Sequence, residues 1–138
     1  MFYNCRNFTG DLSKWNVSNC CNFNNMFAGC DDFNSDISHW DMSNAKTCDG
    51  MFVGCYIFNQ DLSDWDVSNV TSFTAMFSRC RSFDSNLDNW NTSKCTDMNN
   101  MFNGCNNFKS SYLMNWDVSN VTDFSCMFYN CSNFQGKL

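Results

Sequence analysis

Eleven cysteines, fourteen aspartates and a single histidine are the side chains whose types could do chemistry in this sequence. That many cysteines suggest a secreted disulfide scaffold. Their positions point elsewhere. Cys5, Cys30, Cys55, Cys80, Cys105 and Cys131 recur every 25 residues, with 26 at the last step. Such regularity predicts a ladder of buried thiols that act as small apolar side chains. Disulfides between neighbouring members are the competing arrangement. Adjacent strands lie about 4.8 Å apart, inside the Cα range a disulfide accepts, although parallel side chains aim poorly at each other. Cys20, Cys48, Cys95 and Cys126 replace Val, Phe or a small residue of other repeats, and Cys21 alone sits where Thr or Lys is usual.

Zinc is not expected. The chain has no C-x-x-C pair, only the vicinal Cys20-Cys21. His39 occupies the position held by Lys14, Asp64, Asn89 and Asn115 in the other repeats, which predicts exposure, and a nucleophilic triad would need this one residue. The six glycines read as scattered, with no phosphate-binding loop. The aspartates recur as repeated positions, so no unique pair of carboxylates stands out for hydrolysis. The expectation is therefore no enzyme, no metal site and no cofactor, with one reservation for calcium. Asp11, Asp36 and Asp61 form a column in which stacked carboxylates repel unless solvated, protonated or bridged by a cation.

The elements that must position these residues come from an internal repeat. Met-Phe pairs begin at Met1, Met26, Met51, Met76, Met101 and Met127. Every Trp in the chain sits at one repeat position: Trp15, Trp40, Trp65, Trp90 and Trp116. Residues 1–138 therefore read as a single solenoid of five repeats plus a partial sixth. In the third unit, Phe52, Cys55, Phe58 and Leu62 are spaced three, three and four, which suits a short helix or 3₁₀ stretch. Trp65 and Val67 alternate with polar neighbours, which suits a short strand, and Ser68-Asn69 suits a turn. The predicted fold is a repeat solenoid, leucine-rich-repeat-like, with short parallel strands plus short helical or 3₁₀ turns and about 25 residues per rung. One rung cannot bury its own apolar side; stacked rungs can.

Composition agrees with a turn-rich core. Hydrophobic residues make up 43% and aromatics 17%, so disorder is excluded. The 23 Asn, 14 Asp and 17 Ser, with no Pro and no Glu, disfavour long helices because these side chains compete for backbone groups. A net charge of −6 argues against nucleic acid and against anionic membrane surfaces. No apolar run is long enough to span a membrane.

The residues flanking each Trp should point outward from the sheet. They are Lys14, His39, Asp64, Asn89 and Asn115 before it, and Asn16, Asp41, Asp66, Asn91 and Asp117 after it. This polar, mildly acidic strip is the expected binding face for a protein or a glycan, and its Asp and Asn residues are equally suited to capping the next turn. Sequons stand at Asn7, Asn16, Asn69, Asn91 and Asn120 as glycosylation candidates. Asn130 is a sixth, less suited because it adjoins Cys131.

Two motifs resemble a known family. Leu12-x-x-Trp15-x-Val17-x-x-Cys20 resembles the leucine-rich-repeat core with Trp at its second Leu, and the frame returns at Leu62, Trp65, Val67 and Val70. The segment Met-Phe-x-x-Cys-x-x-Phe resembles BspA-like bacterial surface repeats. Closer still is the branch with Trp65-Asp66-Val67-Ser68-Asn69-Val70 and Met51-Phe52-Val53-Gly54-Cys55, which is similar to mycoplasma lipoproteins and other surface antigens. The resemblance covers the whole chain. It implies an extracellular or cell-surface protein, structural or adhesive, and no particular ligand. Met1 falls in mid-repeat and Leu138 aligns with Leu12, with no capping repeat at either end. End-to-end stacking of copies into a fibril, or further repeats of the same chain, is expected to cover the open rungs.

Overall fold

The computed structural model describes residues 1–109 and 113–135. Its architecture follows from one local rule. Where two apolar residues stand three apart with polar residues between, both can point inward only if the chain turns between them. Between Leu62 and Phe83 this happens five times. Trp65 N–H donates to Leu62 C=O (3.1 Å), Val70 to Val67 (2.9 Å) and Met76 to Phe73 (3.0 Å). Cys80 donates to Phe77 (2.9 Å) and Phe83 to Cys80 (3.2 Å). Each is a β-turn closed by an i to i+3 hydrogen bond. One repeat is therefore a closed layer of turns, with the apolar residues inside and the Ser, Asn, Asp and Thr residues at the corners.

This overturns the expected leucine-rich-repeat-like solenoid of parallel strands and short helices. Among the described residues, helical geometry is confined to a single 3₁₀ residue, Leu113, and there is no sheet. Strand-type pairing among the described residues is limited to isolated parallel bridges, Asn22–Thr47, Thr47–Ser72, Ser72–Asp97 and Asp97–Asp123. These lie seven residues beyond each Trp, not at the Trp. Two apolar residues three apart satisfy a turn as well as a 3₁₀ helix, so spacing alone did not separate them. The alternation at Trp65 and Val67 is the junction between two turns, Leu62–Trp65 and Val67–Val70.

The roles of the two halves are also exchanged. The Met-Phe half, expected to be helical, carries the backbone bonds between layers. Phe73, Ala75, Phe77 and Arg79 donate to Asp97, Asn99, Met101 and Asn103 at 3.0, 2.7, 2.9 and 2.7 Å. The Trp half, expected to be the strand, is joined to its neighbours by side chains among the described residues. Trp65, Trp90 and Trp116 donate their Nε1–H to the carbonyls of Ile37, Leu62 and Leu87. Asn69 and Asn120 donate Nδ2–H to Ser43 and Ser93 carbonyls. Trp40 Nε1 is buried without such a partner.

Side chains 25 residues apart lie over one another. Ring centroids in the Phe27–Phe52–Phe77–Phe102 column are 5.7, 5.6 and 5.6 Å apart, with planes within 8° of parallel. Phe33, Phe58, Phe83 and Phe108 form a second column at 5.7 to 6.0 Å. Within a layer the two columns touch, as Phe52 and Phe58 do at 4.2 Å. Trp65, Trp90 and Trp116 stack at 6.5 and 6.1 Å. Burying each such ring stabilises the stack by roughly 1.5–3 kcal/mol, and offset stacking adds about 0.5–1.5 kcal/mol.

Two columns have left-handed backbone. Asn25, Gly50, Ala75, Asn100 and Cys126 have φ between 53° and 62°. Asn4, Gly29, Gly54, Arg79, Gly104 and Asn130 have φ between 57° and 75°. Each is the third residue of its turn, where a type II turn needs positive φ and favours Gly or Asn.

Candidate functional site

The strip flanking the tryptophans is exposed, and the oxygens that follow each Trp are committed to the chain itself. Asn16, Asp41, Asp66, Asn91 and Asp117 each accept, through Oδ1, the backbone N–H two residues on, at Ser18, Ser43, Ser68, Ser93 and Ser119 (3.0–3.1 Å). These are Asx-turns. Lys14, His39, Asp64, Asn89 and Asn115 occupy the third position of the preceding turns and are exposed. Asn115 donates to both oxygens of Asp88. The strip is thus a row of turn corners rather than the face of a sheet.

The Asp11, Asp36 and Asp61 column is held the same way, by the N–H groups of Ser13, Ser38 and Ser63. Hydrogen bonds from these serines hold the Asp11, Asp36 and Asp61 carboxyls below the ordinary carboxylate pKa of 3.8. Asp41, Asp66 and Asp117 are lowered for the same reason. Each carboxylate is stabilised as an anion by donors of its own layer. Among the described residues no group of three or more His, Cys, Asp or Glu could hold a metal ion.

All eleven cysteines are free thiols. In the main ladder the thiol reaches back one layer and donates to a carbonyl. Cys30, Cys55, Cys80, Cys105 and Cys131 pair with Phe2, Phe27, Phe52, Phe77 and Phe102 at 2.8–3.2 Å. Cys5, at the first position of the ladder, is exposed. Burial pushes Cys30 up to about 11 and raises Cys55, Cys80 and Cys105 well above the ordinary thiol value. A buried thiol held protonated is a poor nucleophile. These residues close the stack; they do not offer reactive sulfur.

Of the sequons, Asn7, Asn16, Asn91 and Asn120 are exposed and Asn69 is half-buried. The Asn69 amide is engaged on both sides, donating to Ser43 and accepting from Lys94 Nζ.

The surface feature that sequence reading missed lies on the Met-Phe side. A groove of about 1140 Å³ runs over the left-handed turns and is lined by Arg79, Arg81, Asn103, Gly104 and Tyr129 among others. It shares Val53 and Arg79 with a smaller hollow of about 300 Å³ lined by Tyr3, Arg6, Asp31 and Tyr56. All three arginines of the chain therefore stand on this one face. The Arg81 guanidinium lies 4.8 Å from the centre of the Tyr56 ring, within the range of a cation–π contact. The signal was present in the repeat. Met26-Phe-Ala-Gly29-Cys30, Met51-Phe-Val-Gly54-Cys55 and Met101-Phe-Asn-Gly104-Cys105 place three of the six glycines in one register, and Met76-Phe-Ser-Arg79-Cys80 breaks it.

A family model described as "Mycoplasma protein of unknown function, DUF285" matches residues 1–86 and again residues 58–138. The chain belongs to this family. Membership of DUF285 agrees with the mycoplasma surface-repeat side of the motif resemblance, while the leucine-rich-repeat side finds no support in the layered turns. The description of DUF285 assigns no activity. No curated protein and no solved structure matches the chain significantly. No helix among the described residues is long and apolar enough to cross a membrane.

Proposed function

We propose that this DUF285 chain is a non-enzymatic, extracellular or cell-surface repeat scaffold with an adhesive role. One observation supports the reading above all. Most of the groups that could react are held in repeating structural bonds, thiols on carbonyls and aspartates on serine amides, and serve the shape of the stack. What is left over is surface. A rigid layered body with aligned side chains presents such a surface without reorganising, and preorganisation lowers the cost of binding. Its partners in this reading are a protein or glycan ligand, with further copies or repeats extending the array.

Surface placement is tested by labelling intact cells with a membrane-impermeant amine reagent, which reaches exposed lysines such as Lys14 and Lys46. Labelling equal to that in lysed cells is expected. Protection in intact cells that disappears on lysis refutes the surface assignment.

A further inference from the structure

We propose that the groove centred on Arg79 and Arg81 binds an anionic polysaccharide, whose carboxylate or sulfate groups pair with the guanidinium groups. The proposal rests on the adhesive reading above and names the ligand class for it.

Charge segregation is the first ground. The chain carries fourteen Asp and a net charge of −6, yet no carboxylate lines the larger groove. Among the described residues the one ion pair joins Lys109 to Asp84, so Arg79 and Arg81 are left without an ion pair there, and the nearest lining carboxylate, Asp31, lies in the adjoining hollow with Arg6. Unpaired guanidinium groups gathered in a concave surface focus a positive potential on anions, and their planar forks suit carboxylate and sulfate oxygens.

The second ground is backbone strain. Gly29, Gly54 and Gly104 hold φ of 73°, 72° and 75° at this turn position, and Arg79 holds 62°. A residue with a Cβ is disfavoured in that region. The other members without glycine, Asn4 and Asn130, are of a type that visits this region, so Arg79 alone in the column is strained, and such strain points to function. Arg79 lies over its neighbour, since a Cβ built on Gly104 would stand 3.6 Å from Arg79 Cα and 3.7 Å from its Cγ.

The third ground separates polysaccharide from peptide. Along this face the backbone groups are taken up between layers: Gly54 donates to Ser78, Arg79 to Asn103 and Gly104 to Tyr129 at 2.7–2.8 Å. No free edge is left for an extended peptide to pair with. Recognition falls to side chains, and those present suit sugars. Tyr129 is 61% exposed and offers a ring face. Asn103 donates its Nδ2–H to Asn100, and Asn106 donates its own to Asn130 and Ser132, and the Oδ1 atoms of these two side chains accept no hydrogen bond among the described residues. An open trough of about 1140 Å³ exceeds the usual small-molecule pocket of roughly 300–1000 Å³, which favours a polymer.

The whole chain is titrated with polygalacturonate, heparin, neutral dextran and poly-glutamate, with thermal unfolding followed in parallel. Binding to polygalacturonate or heparin, weakened by salt and absent with dextran, is expected; which of the two binds tells carboxylate from sulfate. Arg79→Gly restores the column's own residue, so its unfolding midpoint should stay level or rise while affinity falls about tenfold or more, as for loss of one charge-assisted contact. Arg81→Gln should weaken binding likewise, and the off-groove Lys14→Gln should not. Unchanged affinity in both arginine variants, or no binding to either anionic polysaccharide, overturns the proposal. Poly-glutamate binding as tight as the polysaccharides overturns it in favour of an acidic peptide. These readouts are independent of surface labelling, so a chain found inside cells that still binds would refute only the adhesive reading.

Discussion

Two strips run along the same stack of layers and are made in opposite ways. On the Trp side, Asp41, Asp66 and Asp117 repeat faithfully, and each is fastened to a serine amide of its own layer. On the Met-Phe side the left-handed column reads Asn4, Gly29, Gly54, Arg79, Gly104 and Asn130, and Arg79 alone is neither Gly nor Asn. The first strip is regular because it builds the corner. The second is irregular where a corner residue has been given up for a guanidinium. A polar column that repeats is thus a poor guide to function in a tandem array, and the break in a column is a better one.

The largest test concerns what both strips share. Phe77 is fully buried and stacks on Phe52, Phe83 and Phe102. Phe77→Ala should cost about 3–5 kcal/mol in denaturant unfolding. It should weaken both strips together, visible as loss of amide-exchange protection across neighbouring layers. Protection lost on one side alone would mean that the strips fold independently. Next in size is the thiol ladder beneath the groove. Cys80→Ala takes one hydrogen bond from the Phe52 carbonyl, which keeps the one from Cys55 N–H, and should cost about 0.5–1.5 kcal/mol by the same unfolding assay. Native Cys80 should resist iodoacetamide until the chain unfolds, whereas exposed Cys21 should react at once.

A smaller effect of opposite sign sharpens the comparison. Ala75 holds φ 53° at the position where Gly50 holds 62°. Ala75→Gly should stabilise by about 1 kcal/mol, because relief of the left-handed strain outweighs the added freedom of the unfolded chain. Destabilisation instead would mean that the strain argument for Arg79 is unsound.

The pH profile separates the strips most gently. The serine bonds hold Asp36, Asp41, Asp61 and Asp66 below 3.8 in the folded chain. A lowered folded value gives stability that is present above the unfolded value and lost as pH falls through the folded one. The unfolding midpoint should therefore be level down to about pH 4 and fall below it. The thiols act in the other direction. Cys30 and Cys95 rise from 9.0 to about 11 on burial, so their contribution is complete below pH 9 and is lost as pH rises from 9 towards 11. A midpoint that is flat from pH 9 to 11 would contradict the burial of these thiols.

Much of this molecule is legible in the spacing of its residues. The 25-residue interval puts Trp65 near Trp90 and Phe52 near Phe77, because side chains in successive layers must bury one another. The turn-forming character of Asp66-x-Ser68 is readable too, since a short polar side chain captures the amide two residues on. The arginine groove was harder to read. Arg6, Arg79 and Arg81 are far apart or unremarkable in the sequence, and only the register of the layers brings them to one face.

By itself, then, the sequence determined the period, the apolar columns and the corners. These depend on residue type at fixed separation, which the chain carries wherever it folds. The tertiary structure alone decided that the apolar steps of three are turns rather than helix or strand. That choice rests on where the backbone amides find partners, and in the Met-Phe half those partners are carbonyls of the next layer, which do not exist until the layers have met.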